Sequence, residues 1–475
     1  MKSKRSVFFV LAVVTLLAAV CCAGTAFAQM DPRLNRAARA EQDGWIQVHL
    51  EGPPADIGYQ HGSLLAPEID DALKTLAGFL KGSSGKDWDF LRDVAQHVFL
   101  PKLGEEYRAE IEGIVEGLRS RGFRYDLLDL VVLNAWMELA WYYLPELAEK
   151  EKAGSGLNKT PGHCSAFIAT GAMTRDGKIV MGHSNWVDYA VGSRWRIAWD
   201  IQPAKGHRMV MDGLPGMIMS GDDFALNGAG ILITETTITG YRGFDWKGTP
   251  EFVRARRAAQ YSESIDDFVR IMGEDSNGAL ANTWLVGDLK TNEIAKLDLG
   301  LKYRRLWRTK DGAFTGANYA TDEGLLKEET TFNPADPTTS PAARRVRWEQ
   351  VMPECRGKID AELGMKLLAD HVDVLEGKPL LNRHGLCGHV DRDPAGCPEW
   401  GNPPFNPGGA VSAKVTTAEL AKSFAFWGRA GHPCGEPFDA AAFLEQHPQF
   451  RWQASFLRDM RPQPWTLIRT GNARR

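Results

Sequence analysis

Residues 158–188 read NKTPGHCSAFIATGAMTRDGKIVMGHSNWVD. The junction inside this stretch constrains the chain more than any other. A loop-forming run of Asn, Thr, Pro and Gly leads into Cys164. Ser165–Thr170 then has the character of a strand, Asp176-Gly177 supplies a turn, and Ile179–Met181 begins a second strand. Cys164 thus opens a β-hairpin. An ordinary buried cysteine at a strand end is one reading of that position. A residue that becomes a new N-terminus when the chain is cut between His163 and Cys164 is the other.

Cysteine usage favours the second reading. Lys2, Lys4 and Arg5, the apolar run Val7–Val20 and Ala26-Phe27-Ala28 together have the pattern of an export signal over residues 1–28. The mature chain is therefore expected in a periplasmic, secreted or lumenal compartment. Of seven cysteines, five remain beyond that segment: Cys164, Cys355, Cys387, Cys397 and Cys434. In an oxidising compartment structural cysteines pair, and five cysteines leave one over. The short separation of Cys387 and Cys397 makes them the expected pair, Cys355 and Cys434 follow by elimination, and Cys164 remains a free thiol.

Losing the three basic residues of the signal moves the formal charge from −4 to −7, which excludes the basic footprint of a nucleic-acid binder. No other apolar run has the length of a bilayer span, so membrane contact is expected to be peripheral at most.

The pattern predicts a short strand over 45–50, helices over 55–80, 87–99, 103–119 and 125–147, and an exit loop over 153–163. After Cys164 strands dominate, at 194–201, 208–211, 224–226 and 231–237. A helix with an internal break spans 250–271, and hairpins are expected at 283–299 and 303–316. Helices return at 342–352 and 360–374, then a loop over 382–409 and a closing strand pair at 410–416 and 422–428. This order suggests α+β layers and not a regular βαβ alternation.

A thiol becomes a nucleophile when an adjacent base takes its proton. A cut before Cys164 would supply that base in the same residue, because an α-amine titrates near ~8. Attack of the Cys164 sulfur on the His163 carbonyl could make the cut. Cys164-Ser165-Ala166, Gly182-His183-Ser184-Asn185-Trp186, the run Pro215–Phe224, Glu235-Thr236-Thr237-Ile238 and Asn282-Thr283-Trp284 resemble the phospholipase B-like proteins. Gly58-Tyr59-Gln60-His61-Gly62 is similar to a motif of related autoproteolytic acyltransferases of the penicillin acyltransferase type.

The resemblance implies an N-terminal-nucleophile hydrolase with a four-layer αββα core, matured by self-cleavage. It also implies an acyl ester or amide substrate, a small molecule or a lipid. The implied organisation is a signal at 1–28, a mainly helical segment at 29–163 as light chain or pro-segment, and a catalytic αββα chain at 164–475 that keeps its own cleaved fragment as partner. The family's nucleophile maps onto Cys164 and its oxyanion-stabilising asparagine onto Asn282. His183 lies on the second hairpin strand, where antiparallel pairing returns it toward Cys164. Asn185, Asp188, Asp222 and Asp223 are candidates for substrate contact. Asn227, in the turn Asn227-Gly228-Ala229-Gly230, is a candidate second oxyanion donor. Relatives use an arginine near the nucleophile, for which Arg344, Arg345 and Arg347 are candidates.

Other chemistries find less support. The 182–186 motif lacks the last glycine of a nucleophile elbow. His384, Cys387, His389 and Cys397 carry zinc-ligand chemistry at loose spacing, and export favours a disulfide there. No metal or cofactor is expected. Phospholipid deacylation, amidase action on N-acyl amino acids, acylated amines or small peptides, and a non-catalytic binding role stand as alternatives, in that order.

Overall fold

In the computed structural model the described residues are 31–150, 163–221 and 223–469. The expected signal at 1–28, most of the exit loop and Asp222 lie outside them. Contacts divide the chain into residues 1–35 and residues 36–475, and the second unit carries the sheets and the helices that cover them.

That unit is built on two sheets. The larger is formed by β1 (Ala38–Gln42), β2 (Trp45–Gly52), β5 (Ile197–Pro203), β6 (Met209–Gly213), β7 (Phe224–Asn227), β8 (Ile231–Thr237), β9 (Asn282–Asp288), β10 (Glu293–Leu299) and β11 (Arg304–Thr309), in that order across the sheet. Only β2 and β5 pair in parallel. The smaller runs β12 (Gly312–Gly316), β3 (His163–Thr170), β4 (Val180–Asp188), β15 (Gly408–Thr417), β16 (Ala425–Ala430) and β17 (Thr466–Arg469). A two-residue ladder joins β13 (Val372–Asp373) to β14 (Lys378–Pro379).

Alternation along each strand sorts its side chains between two cores. On β3, Ala166 and Ile168 face inward and pack with Met181 of β4 against Val210, Phe224, Leu226, Leu232 and Leu285 of the larger sheet. Phe167 and Ala169 face outward with Val180, Ala413 and Val415. There they meet Trp348, Val351, Leu367 and Leu368 of two helices, Ser340–Glu354 and Ala361–Leu368. The outer face of the larger sheet carries Val48, Trp199, Met211, Ile233 and Trp284. It is covered by the helices α1 (Pro54–Leu64), α2 (Ala66–Ser84), α3 (Trp88–Val94), α4 (Gly104–Ser120), α5 (Leu127–Asn134) and α6 (Leu144–Lys150), with α7 (Glu251–Tyr261) and α8 (Ile265–Gly273). The result is four layers, αββα. Ser340–Glu354 and Ala361–Leu368 are α9 and α10 below.

Several expectations change. The helix read over 55–80 breaks at Leu65, where φ is −117° and ψ is 22°. The helix read over 360–374 ends at Leu368. The segments at 303–316 do not form a hairpin: β11 pairs with β10 in the larger sheet and β12 with β3 in the smaller. Alternation marks a strand but not the sheet it joins, and the Lys310-Asp311 link carries the chain between layers. The αββα core is also not confined to 164–475, because β1, β2 and α1–α6 supply two strands and most of one helical layer.

No disulfide links the five described cysteines. Cys355 caps α9 in the outer core of the smaller sheet, and Cys387 and Cys397 share a small cluster with Trp186 and Trp400. Cys387 instead neighbours Cys434, both within 3.5 Å of His389 Nε2. Sequence spacing carries no information on Cβ direction, which decides whether two cysteines can pair.

Candidate active site

The register of the smaller sheet builds the site. Cys164 pairs with Asn185 and Ala166 with His183 across β3 and β4. On the other side of β4, Asn185 pairs with Ser412 and His183 with Lys414. Cross-strand partners share a face, so these side chains join Ala166 on the face turned toward the larger sheet. From that sheet and its approach come Asp212, Asp223 and Glu235. The Cys164 sulfur and ligand atoms of His183, Asp223 and Glu235 all lie within 4.8 Å of one another, and all four residues are buried.

Lys414 is fully buried beside this group. Its Nζ lies 2.8 Å from Asp212 Oδ2 and 3.4 Å from Asp223 Oδ2. A cation is therefore built into the cluster, and the carboxylates already have the positive partner that a metal would otherwise provide. His183 Nε2 stands 4.0 Å from Asp223 Oδ1. Among the described residues neither ring nitrogen of His183 nor Nδ2 of Asn185 has a hydrogen-bond partner. Buried polar atoms left this way ask for a functional account.

The backbone of Cys164 is held from the opposite direction. Its N–H donates to Asn318 Oδ1 at 2.8 Å, and its carbonyl accepts from Arg344 Nη1 at 2.5 Å. Arg344 Nη2 donates to the same Asn318 oxygen at 2.8 Å, and Asn318 Nδ2 donates to the Thr237 carbonyl at 2.8 Å. Asn318 follows β12 with φ at 64°, a conformation asparagine tolerates better than most residues. Arg344 sits one helical turn after Ser340 at the start of α9, and its Nε donates to the Ser340 hydroxyl. Its guanidinium lies 4.3 Å from the centroid of the Trp186 ring, close enough for cation–π attraction.

Electrostatics decide the resting protonation. Burial pushes the Cys164 thiol well above its ordinary value, and Glu235 and Asp223 add to the effect. Burial, then Lys414, holds His183 well below the imidazole range. Burial pulls the Lys414 ammonium down, but Asp212 and Asp223 outweigh it and raise the group. Burial brings the Arg344 guanidinium down to about 10. At neutral pH the site therefore holds a thiol, a neutral imidazole and two cations. Such a thiol attacks only if a base accepts its proton during the step.

The remaining sequence candidates divide. Asn282 opens β9, register-paired with Thr237, whose carbonyl holds Asn318. It thus lies in the strand beside the one that anchors the Cys164 backbone. Asp188 is three residues beyond Asn185, where it accepts from Asn406 Nδ2 at 2.8 Å and burial lifts its carboxyl to about 6. Its bond to Asn406 gives it a structural task outside the cluster. Asn227 is a correction. Its Nδ2 donates to the carbonyls of Ala259 and Ser262, and its Oδ1 accepts from Ala229 and Ile231. It braces the β7–β8 turn, at the opposite end of β8 from Thr237, and has no N–H left for an oxyanion. Arg345 and Arg347 bind Glu349 and Asp370 instead. Asn318, Glu235, Lys414 and Asp212 had no role assigned from sequence. Glu235 lay inside a noted motif, whereas the other three come from distant segments that only the fold brings together.

An aromatic cavity of about 280 Å³ lies past the end of β8, lined by Trp141, Tyr142, Tyr241 and Phe244 together with Pro145 and Glu146 of α6.

Residues 107–324 match the family model described as Phospholipase B. The chain is similar to phospholipase B-like 1 of Homo sapiens, at 25% identity over 52% of this chain and 49% of that protein. It is also similar to an uncharacterized protein of Archaeoglobus fulgidus, at 29% identity over 53% of this chain and 42% of that one. The chain thus spans about half the length or less of these relatives. Among solved structures, a conjugated bile acid hydrolase of Clostridium perfringens matches 56% of this chain and 89% of its own, at 8% identity and a TM-score of 0.34. That value is too low to add to the layers described above. The chain is similar to the phospholipase B-like proteins, and its described residues build four layers, αββα.

Proposed function

We propose that the chain is an exported, self-cleaving N-terminal-nucleophile cysteine hydrolase that cleaves acyl esters or amides through a thioester on Cys164. The observation that carries the reading is the convergence on one buried residue. The Cys164 sulfur lies among His183, Asp223 and Glu235, Asn185 with its unpartnered amide is its cross-strand partner, and its nitrogen and carbonyl are held by Asn318 and Arg344.

Maturation begins with attack of the sulfur on the His163 carbonyl carbon. The Cys164 nitrogen leaves with the thiol proton, and water hydrolyses the resulting ester of sulfur. The freed α-amine stays within reach of Asn318 Oδ1, and the Arg344 charge beside it favours its neutral, basic form. In turnover that amine takes the thiol proton as the sulfur attacks the substrate carbonyl. The oxyanion is stabilised by amide donors, a role the family resemblance gives to Asn282 and for which the unpartnered amide of Asn185 is a second candidate. The amine then returns the proton to the leaving alcohol or amine, and water completes the cycle.

Phospholipid deacylation fits the family resemblance, and the aromatic cavity near the end of β8 gives an apolar acyl chain a place to lie. Incubation with phospholipids and N-acyl amino acids, followed by mass analysis of products, tests the substrate. Release of fatty acid from phospholipid alone supports the first reading. Turnover of N-acyl amino acids alone moves the chain to the amidases, and turnover of neither leaves a binding protein.

A further inference from the structure

We infer that the chain carries a tetrahedral zinc site made by His371, Cys387, His389 and Cys434, separate from the Cys164 cluster. One ligand atom from each of the four lies within 4.8 Å of all the others. His371 Nε2 and His389 Nε2 are 3.2 Å apart, and the sulfurs of Cys387 and Cys434 are each 3.5 Å from His389 Nε2. A tetrahedral zinc ion with ordinary Zn–N and Zn–S bonds requires N···N near ~3.3 Å and N···S near ~3.5 Å. The three distances from His389 Nε2 match such a figure, and the remaining ones lie within 4.8 Å.

A disulfide between Cys387 and Cys434 is the competing chemistry. It accounts for the two sulfurs but leaves unexplained why two imidazoles bring their Nε2 atoms to the same point. Two thiolates with two imidazoles are the donor set that selects zinc among common divalent ions. Binding forms two Zn–S and two Zn–N bonds and releases the two thiol protons to solvent, with no change of oxidation state.

The backbones of two ligands are already held. The Cys387 N–H donates to the Asp370 carbonyl at 3.0 Å and the His389 N–H to the Asn382 carbonyl at 2.9 Å. His389 presents Nδ1 to Asp391 at 4.0 Å, and Asp391 accepts from the Tyr189 hydroxyl at 2.7 Å. A ligating imidazole commonly donates its other ring N–H to a carboxylate, and Asp391 is the carboxylate on that side of His389, just beyond hydrogen-bond distance.

The site has a structural consequence for the nucleophile. Gly388, between two ligands, lies flat on Trp186: a Cβ there would stand 2.0 Å from the indole ring. The same ring faces the Arg344 guanidinium that holds the Cys164 carbonyl. Zinc would join the 371–389 loop to the turn after β16 and so fix the wall behind Arg344.

The test uses the full chain without a polyhistidine tag, purified under reductant and supplied with zinc. Total metal analysis should give one zinc per chain. Cys434→Ser and His389→Ala should lower affinity at least ~10-fold against a chromophoric chelator, whereas Cys355→Ser, in a different core, should not. Should the ligand variants fail to fold, cobalt substitution of the unaltered chain should give thiolate-to-cobalt charge-transfer absorption. Absence of bound zinc, a Cys387–Cys434 disulfide in the reduced and zinc-supplied protein, or unchanged zinc in folded Cys434→Ser would each overturn the assignment.

Discussion

Arg344 shows how a single residue defines the site. It is fully buried, and its hydrogen bonds go to neutral acceptors: the Cys164 carbonyl, the Ser165 and Ser340 hydroxyls and Asn318 Oδ1. A buried cation held by neutral groups favours negative charge nearby, and in the proposed mechanism that charge falls on the sulfur or the oxyanion. Lysine would keep the charge but lose the fork that grips two acceptors at once. Arg344→Lys should therefore remain folded and lose about 10²-fold in kcat, as steady-state kinetics beside a thermal melt would reveal. Asn227→Ala makes the converse case. It should cost about 1–2 kcal/mol of stability through the lost turn bonds, read by urea unfolding, with kcat unchanged. The hairpin that Cys164 opens was legible in the sequence because its signal is local, a loop, a cysteine and a strand in succession. Arg344 was one of three arginines on a predicted helix, and only packing distinguishes the buried one. Asn227 misled because a turn asparagine has the same local pattern whether it braces the backbone or serves a substrate.

Among the elements, the pairing of α1 with α4 explains a motif that the sequence could only match to relatives. Gly58 and Gly62 let the two helices touch: a Cβ at Gly62 would stand 2.1 Å from the Ile114 carbonyl oxygen. Gly62→Ala should destabilise the fold by about 1–3 kcal/mol through forced separation, measured by urea unfolding. Between these glycines, His61 accepts from the Gly216 N–H at 2.9 Å through Nε2, so its imidazole must be neutral there. Burial, with Arg256 adding, draws its pKa down to about 3 from 6.5. The neutral folded form gives stability that is full above pH 6.5 and is lost as pH falls toward 3, at up to about 1.4 kcal/mol per unit. His61→Asn should show a shallower loss of stability from pH 6.5 to 4 in urea titrations at stepped pH. The strand and helix order was largely readable from periodicity. Sheet membership of β11 and β12 was not, because alternation is the same in either sheet.

For the molecule as a whole, the N-terminal segment is a structural layer. β2 pairs in parallel with β5, and buried Arg256 binds Glu110 of α4 through two contacts of 2.9 Å. A chain cut before Cys164 would keep these contacts, so its two fragments should elute together from a sizing column and separate only in denaturant. The four-layer class was legible through family resemblance and the order of elements, whereas the share contributed by residues before Cys164 appeared only with the strand pairing. The measurement closest to the central claim is the denatured mass and N-terminal sequence of the purified chain beside Cys164→Ala. The proposal predicts two fragments, the larger beginning at Cys164, and an uncut, inactive variant. A single uncut wild-type chain that hydrolyses acyl substrates would contradict it.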